Sequence, residues 1–309
     1  MLYHLKKKES VIRYNSYRSY LKKRFGKPVF KVPLNAGFSC PNRDGTISAD
    51  GCSFCDNRSF SPVAASLAPV LGQLNLAIER DRNRHEAFIA YLQPFSNTYG
   101  DANLLKSIYE PVIKFPKVIG LAVGTRPDCF TEETFDYLED VSKRTYLSVE
   151  IGLQSASDET LRLNNRGHDV RAFVNSVKEL SKRKTETVAH VMIGLPPDTR
   201  NDAIATARLL ASLPVTGIKI HQLMIIAGTK ANEWYKEGKV KPLSLEEYAD
   251  ILCDFLSYVR PDQHIHRIMA DSNLKNGLIA PLWSADKMKS IAFIHDVMKN
   301  RKLVQGSEH

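Results

Sequence analysis

The feature that most limits how this chain can fold is a regular alternation of short apolar segments with amphipathic ones. Six segments have the length and apolar content of buried strands, and they are residues 29–36, 87–93, 117–124, 146–153, 188–194 and 217–223. The intervening segments repeat apolar residues at helical spacing, and they are residues 67–82, 102–114, 131–143, 170–183 and 199–213. This alternation predicts an α/β fold with a parallel sheet and right-handed crossovers. Six units favour a barrel or an open partial barrel, because a complete eightfold barrel typically needs about 250 residues.

The alternation ends after Ile226, and the rest of the chain has a different pattern. A helix, a strand and a second helix are predicted there, at residues 245–258, 264–270 and 285–299. We interpret them as a C-terminal α/β cap, and the first 25 residues as a separate helical lead-in. The predicted regions are an N-terminal extension over 1–25, a core over 26–226 and a cap over 227–309.

Basic residues outnumber acidic ones, giving a formal net charge of +9 and a pI near 9.2. This excess suits an anionic partner such as nucleic acid, but a merely basic surface explains it equally well. Basic clusters occur at residues 6–8, 22–24 and 182–184. No apolar run approaches the ~20 residues of a membrane helix, and residues 1–9 are not followed by the apolar stretch of a secretory signal. We therefore expect a soluble, cytoplasmic protein without membrane association.

Three of the five cysteines lie within sixteen positions, directly after the first predicted strand. Eleven residues separate Cys40 from Cys52, and two separate Cys52 from Cys55. Three thiolates can hold a [4Fe-4S] cluster and leave one iron without a protein ligand. A structural zinc site is the alternative, but it needs four ligands and no fourth is obvious. Active sites of such folds lie at the carboxyl ends of the strands, so the cysteines are expected at the barrel mouth.

Basic side chains also fall at predicted strand ends, and they are Arg43, Arg126, Lys219 and His221. They can contact a phosphate or a substrate carboxylate, or they can pair inside the barrel with Glu150 or Asp128. Cys129 can act as a hydrogen donor or be a buried cysteine at the start of a helix. His266 and Arg267 can touch substrate or pair across a domain contact. The catalytic candidates are Cys129, Lys219 and His221.

The cysteine loop, with the aromatic Phe54 before the third cysteine, resembles that of the radical SAM superfamily. Its long spacing resembles the branch that contains the elongator catalytic subunit. Segments that fit this branch are residues 125–128, 150–155, 165–168 and 190–196. Further segments resemble the YtqA/YhcC family, also called MnmL, and they are residues 14–17, 34–46, 97–99 and 279–284.

This resemblance implies a partial (β/α)6 barrel of the TIM type that binds a [4Fe-4S] cluster and S-adenosylmethionine. The implied cluster ligands are Cys40, Cys52 and Cys55. The implied cofactor contacts are Phe54, Gln93, Phe95, Glu150, Gln154, Arg166 and His190. Arg166 matches a position that meets the methionine carboxylate, and a salt bridge on a helix surface is its alternative. Gln154 and His190 match positions near the ribose.

The resemblance also implies the reaction, which is reductive cleavage of S-adenosylmethionine to a 5′-deoxyadenosyl radical that takes a hydrogen atom from the substrate. Family members are linked to the wobble uridine of tRNA, whose carboxymethylaminomethyl side chain becomes aminomethyl. The implied partners are tRNA and a low-potential electron donor of the flavodoxin or ferredoxin type. Two alternatives stay open. One is a radical SAM enzyme acting on a protein or small molecule, and the other is a zinc-stabilised RNA-binding protein without catalysis.

Overall fold

The computed structural model describes residues 13–56, 59, 61, 63–272 and 274–309. The basic cluster at residues 6–8 and the start of the predicted N-terminal extension lie outside the described residues. In the described part of the chain, no helix is long and apolar enough to span a membrane.

A curled parallel sheet of seven strands forms the centre of the described structure, in the order β1-β2-β3-β4-β5-β6-β8. Its strands are β1 Val29–Leu34, β2 Ala87–Leu92, β3 Val118–Thr125, β4 Tyr146–Gln154, β5 Glu186–Ile193, β6 Gly217–Gln222 and β8 His264–Arg267. A separate antiparallel pair is made by β7 Ile225–Ile226 and β9 Leu278–Ala280. Neighbouring strands follow the chain order, so the right-handed crossovers place their helices on one face of the sheet. The sheet curls into a partial barrel, and the carboxyl ends of its parallel strands lie at one mouth.

Most helices cover the outer face of this sheet. They are α1 Tyr17–Phe25, α2 Val70–Asp81, α3 Ala102–Ile113, α4 Glu132–Arg144, α5 Asp158–Leu163, α6 Val170–Lys182, α7 Arg200–Ser212, α8 Lys230–Lys236, α9 Leu245–Tyr258 and α10 Lys287–Asn300, with 3-10 turns at Leu274–Asn276 and Leu282–Ala285. The main core lies between sheet and helices, where Ile151 and Leu153 of β4 join a cluster with Phe173 of α6. Central strands are therefore buried on both faces, which explains their nearly continuous apolar sequence.

The predicted fold class is confirmed, since all six predicted strands and all five intervening helices are present. Their bounds agree with the predicted ones to within three residues. The strand predicted in the cap, β8, pairs in parallel with β6 and so extends the barrel sheet. The division into three regions stays a prediction.

Helix α1 packs into the interior of the barrel near the amino ends of the strands. Its Tyr17 and Leu21 join a buried cluster with Ile89 and Tyr146, the latter being the first residue of β4. The Tyr17 ring stacks on His266 of β8, with 3.7 Å between ring centroids. The helix thus occupies the end of the barrel opposite the mouth.

Candidate active site

A cavity of about 180 Å³ opens at the carboxyl ends of the strands. All the predicted cluster ligands and cofactor contacts line it, and they are Cys40, Cys52, Cys55, Phe54, Gln93, Phe95, Glu150, Gln154, Arg166 and His190. The catalytic candidates Lys219 and His221 also line it, whereas Cys129 is not among the lining residues. Residues that are far apart in sequence therefore meet in one chamber.

The cysteine loop is held in place by the segment that follows α5. Asn42 Nδ2 donates to the carbonyl of Asn165 at 2.6 Å, and Asn165 Nδ2 donates to the carbonyl of Gly51 at 2.7 Å. Gly167 has a φ of +69°, and a Cβ at this position would lie 2.9 Å from Asn42 Oδ1. The close approach of loop and segment thus requires glycine at position 167.

The cysteines lie among cationic groups. Arg166 Nη1 lies 3.1 Å from Cys52 Sγ, and Arg43 interacts electrostatically with all three thiols. Burial raises the pKa of the Cys55 thiol to about 11, and neighbouring Cys52 adds to this while Arg43 opposes it. Metal binding at Cys55 would therefore displace a proton.

The donor set is three cysteines, which is the ligand number of a [4Fe-4S] cluster with one open iron, whereas a structural zinc ion takes four ligands. Among residues that the structure describes, no three His, Cys, Asp or Glu side chains are placed to hold one ion. A cubane binds each thiolate at a different iron, so its ligands are spread more widely than those of a zinc ion. Six buried polar atoms of described lining residues have no hydrogen-bond partner, namely Asn42 Oδ1, Ser61 Oγ, Ser96 Oγ, Arg126 Nη1, Arg166 Nε and Arg267 Nε. Such atoms leave hydrogen-bonding capacity for a bound ligand.

Arg166 is buried behind the cysteine loop, with 6% of its surface exposed, so the alternative of a surface salt bridge is wrong. Its Nη2 donates to the carbonyl of Gly152 at 3.0 Å and lies 3.0 Å from His168 Nε2. Burial lowers the pKa of His168 to about 2, and Arg166 contributes to this shift. The imidazole is therefore neutral and can accept a hydrogen bond from the guanidinium.

Two predicted cofactor residues have backbone conformations that side-chain-bearing residues rarely adopt. Phe95, after β2, has a φ of +65°, and Gln154, at the end of β4, has a φ of +76°. Each such conformation costs on the order of 1–3 kcal/mol and tends to occur at functional sites. Both residues line the cavity, so the strained backbone conformations lie at the candidate site.

Glu150 is the centre of an ionic layer below the cysteines. Its fully buried carboxylate accepts hydrogen bonds from Lys31, from Lys219 at 2.9 Å and from His190 at 2.8 Å. Burial acts to raise the pKa of Glu150, but Lys219 and Lys31 outweigh it and hold this pKa well below its usual range. Lys219 also donates to the hydroxyl of Tyr91 at 2.9 Å. Internal pairing, one of the two alternatives for Lys219, is thus present in the structure.

The other basic candidates also have partners within the barrel mouth. Arg126 forms a bidentate pair with Asp128, with distances of 2.9 and 2.7 Å. His221 Nδ1 lies 2.7 Å from Nη2 of Arg267. Cys129 is 5% exposed, precedes α4, and burial raises its pKa to about 12. Its position is that of a buried cysteine at a helix start, the second of its two alternatives.

Lys31 was not predicted as a site residue, although it contacts Glu150 from β1. The available signal was its position in the strand. Lys31 is a charged residue in an otherwise apolar strand, and it lies on the same face as Val29 and Pro33. That pattern does not distinguish a barrel interior from a solvent-facing edge.

Comparisons with known proteins agree with this architecture. The family described as the radical SAM superfamily matches residues 40–210, and the Radical_SAM C-terminal domain matches residues 215–300. YtqA of Bacillus subtilis is 37% identical over 300 residues, covering 95% of this chain and 92% of YtqA. YhcC of Escherichia coli K12 is 33% identical over 298 residues, covering 95% of this chain and 94% of YhcC.

More distant similarities cover less of the matched proteins. The tRNA uridine(34) acetyltransferase of Dehalococcoides mccartyi is 27% identical over 158 residues, covering 50% of this chain and 34% of that protein. The solved structure of Methanocaldococcus infernus Elp3, lacking its N-terminus, superposes with a TM-score of 0.67 at 16% identity. That superposition covers 90% of this chain and 64% of the other, and it shows the shared fold.

Proposed function

The chain belongs to the radical SAM superfamily and, within its elongator-like branch, to the family of YtqA and YhcC, and from this premise we propose its activity. It cleaves S-adenosylmethionine reductively at a [4Fe-4S] cluster and uses the 5′-deoxyadenosyl radical to modify tRNA. The modified group is the 5-substituent of the wobble uridine, which changes from carboxymethylaminomethyl to aminomethyl. A flavodoxin or ferredoxin is the proposed electron donor.

The observation that carries this proposal is the convergence of the cysteines and the predicted cofactor residues on one cavity. Cys40, Cys52 and Cys55 are the proposed cluster ligands. The bound cluster and S-adenosylmethionine supply the electron and the radical. The chain's own residues bind these groups, orient them and exclude water.

Arg166 is the residue proposed to bind the methionine carboxylate. Its guanidinium is held by Gly152 and His168, and its Nε has no partner. A guanidinium that is already oriented and desolvated binds a carboxylate strongly, because little freedom is lost on pairing. Gln154 and His190 are the proposed ribose contacts, and Phe54, Gln93 and Phe95 complete the proposed cofactor site.

Two observations support tRNA as the substrate. The chain carries a net charge of +9, which suits a polyanion. A relative over half of the chain is a tRNA uridine(34) acetyltransferase by name. A base must leave its stack to reach an enclosed chamber, and this is how enzymes that modify bases act.

Replacement of Cys52 by alanine is expected to abolish cluster binding, because only two thiolates remain for the three irons that need a protein ligand. The measurement is iron and sulfide content after anaerobic reconstitution, followed by 5′-deoxyadenosine formation with S-adenosylmethionine and dithionite. Cys253→Ala is the matched control, since Cys253 is buried in the core on α9. Equal cluster content in the two variants would contradict the ligand assignment.

The substrate is tested by mass spectrometry of tRNA nucleosides from a strain that lacks the gene. We expect the carboxymethylaminomethyl nucleoside to accumulate, and wild-type protein but not Cys52→Ala to restore the aminomethyl form. An unchanged wobble-uridine profile, together with normal S-adenosylmethionine cleavage in vitro, would favour a protein or small-molecule substrate instead.

A further inference from the structure

A second cavity, of about 650 Å³, adjoins the cysteine-lined one. Tyr91, Gln93, Lys219 and Arg267 line both cavities, so the two spaces meet at these side chains. The second cavity extends from there between β1 and the segment that follows β8, where Lys31 and Asp271 are among its lining residues. The chamber is therefore larger than the part that the cysteines face.

Positive charge exceeds negative charge around this joined space. Among the described residues that line the two cavities, the carboxylates are Glu150 and Asp271. Asp271 pairs with Lys287 at 2.8 Å, and Glu150 is shared by Lys31 and Lys219. Neither of these carboxylates lies within ion-pair distance of Arg267, on which both act only over a longer distance.

The hydrogen-bond donors of Arg267 are only partly satisfied, and the partner of its Nη2 is the neutral His221. Its Nη2 lies 2.7 Å from His221 Nδ1, and its buried Nε has no hydrogen-bond partner. Burial and the nearby Arg267 hold the pKa of His221 well below its usual range, so this imidazole carries no charge of its own. No carboxylate of the described residues forms an ion pair with Arg267. A buried guanidinium in this state is costly unless an anion binds it.

We propose that Arg267, with Lys219 beside it, binds a carboxylate carried by the substrate. This inference rests on the proposed function and identifies the feature of the wobble side chain that the chamber recognises. A guanidinium binds a carboxylate through two parallel hydrogen bonds, which are strong when water is excluded. An RNA phosphate is the other source of an anion. Arg267 lies on a strand of the barrel sheet and lines the cavity that the cysteines face, however, and the side chain of an unstacked base enters such a cavity more readily than the RNA backbone does.

The test compares two tRNAs that differ at the wobble uridine, one with carboxymethylaminomethyl and one with aminomethyl. Wild-type protein with cluster and S-adenosylmethionine is expected to bind the carboxylate-bearing tRNA at least about 10-fold more tightly. Arg267→Gln is expected to bring this ratio close to one, and Arg267→Lys to keep part of it. Arg171→Gln, an exposed arginine on the outer helix α6, is the control and should leave the ratio unchanged.

Two outcomes would overturn the carboxylate subsite. The ratio could be as large in Arg267→Gln as in wild type, which would place carboxylate recognition elsewhere. Alternatively, Arg267→Gln could weaken both tRNAs equally, as the loss of a phosphate contact would. Melting curves of each variant verify that it is folded before the affinities are compared.

Sodium acetate gives a readout that does not depend on tRNA. Acetate, compared with chloride at equal ionic strength, is expected to raise the melting temperature of the reconstituted wild-type protein and of Arg171→Gln, but not of Arg267→Gln. The same response in wild type and Arg267→Gln would refute the subsite. A selective acetate response without tRNA binding would instead refute the proposed tRNA substrate and leave the carboxylate subsite supported.

Discussion

At the scale of single residues, Glu150 holds together the charges inside the barrel. Its side chain is fully buried and contacts Lys219 and His190 directly, and Lys31 reaches it from the far edge of the sheet. Removing one partner of a buried ion pair is costly because the other charge stays desolvated. One carboxylate here compensates two lysines, so its loss has a larger effect than the loss of an ordinary pair.

Replacement of Glu150 by glutamine is therefore expected to lower the free energy of unfolding by about 3–5 kcal/mol. Urea unfolding at neutral pH measures this change. Glu246→Gln is the control, because Glu246 is exposed on the first turn of α9 and should change stability by less than about 0.5 kcal/mol. Equal stability of the two variants would mean that the ionic layer is not a structural element.

Single residues also show how far the site could be predicted. The convergence of Cys40, Cys52 and Cys55 on one cavity was predictable because their spacing is local and they follow directly after the first strand. Lys31 was not, because its partner Glu150 is 119 positions away and neither residue's sequence neighbours indicate the pairing. Among the described residues, no carboxylate pairs with Arg267, and this depends on how the chamber is assembled, so it could not be predicted from the sequence.

At the scale of elements, the cysteine loop depends on the segment after α5. Gly167→Ala is expected to displace the loop, because its Cβ would meet Asn42 Oδ1 at 2.9 Å and Asn42 is fully buried. We expect reduced iron and sulfide content after reconstitution in a protein that still folds. The backbone strain itself should cost on the order of 1–3 kcal/mol.

Gly238→Ala separates this contact from backbone strain. Gly238 has a φ of +71°, similar to the +69° of Gly167, but a Cβ there would have no neighbour within 4 Å. The two variants should lose comparable stability from strain, while only Gly167→Ala should lose cluster. Equal cluster content in both would show that the loop does not need this close contact.

At the scale of the whole molecule, the alternation of strands and helices was predictable because central strands of a curled parallel sheet are buried on both faces. Strand β8 was predicted as part of a cap, since its sequence His264–Arg267 is polar and gives no sign of joining the main sheet. The position of α1 was not predictable for a similar reason. Its contacts with β8, such as the stacking of Tyr17 on His266, join opposite ends of the chain. So does the hydrogen bond from Ile265 N to the carbonyl of Asn15, two residues before the helix, at 2.7 Å.

Helix α1 closes the end of the barrel opposite the mouth, and Tyr17 is its main contact with the interior. Tyr17 is 8% exposed and stacks on His266, so Tyr17→Ala is expected to lower the free energy of unfolding by about 3–5 kcal/mol, as for other large aromatic truncations. Tyr17→Phe is the matched control, because the Tyr17 hydroxyl makes no hydrogen bond of normal geometry and its removal should cost less than about 1 kcal/mol. Urea unfolding of both variants measures the difference. If the alanine variant were as stable as the phenylalanine variant, the packing of Tyr17 on β8 would not stabilise the barrel.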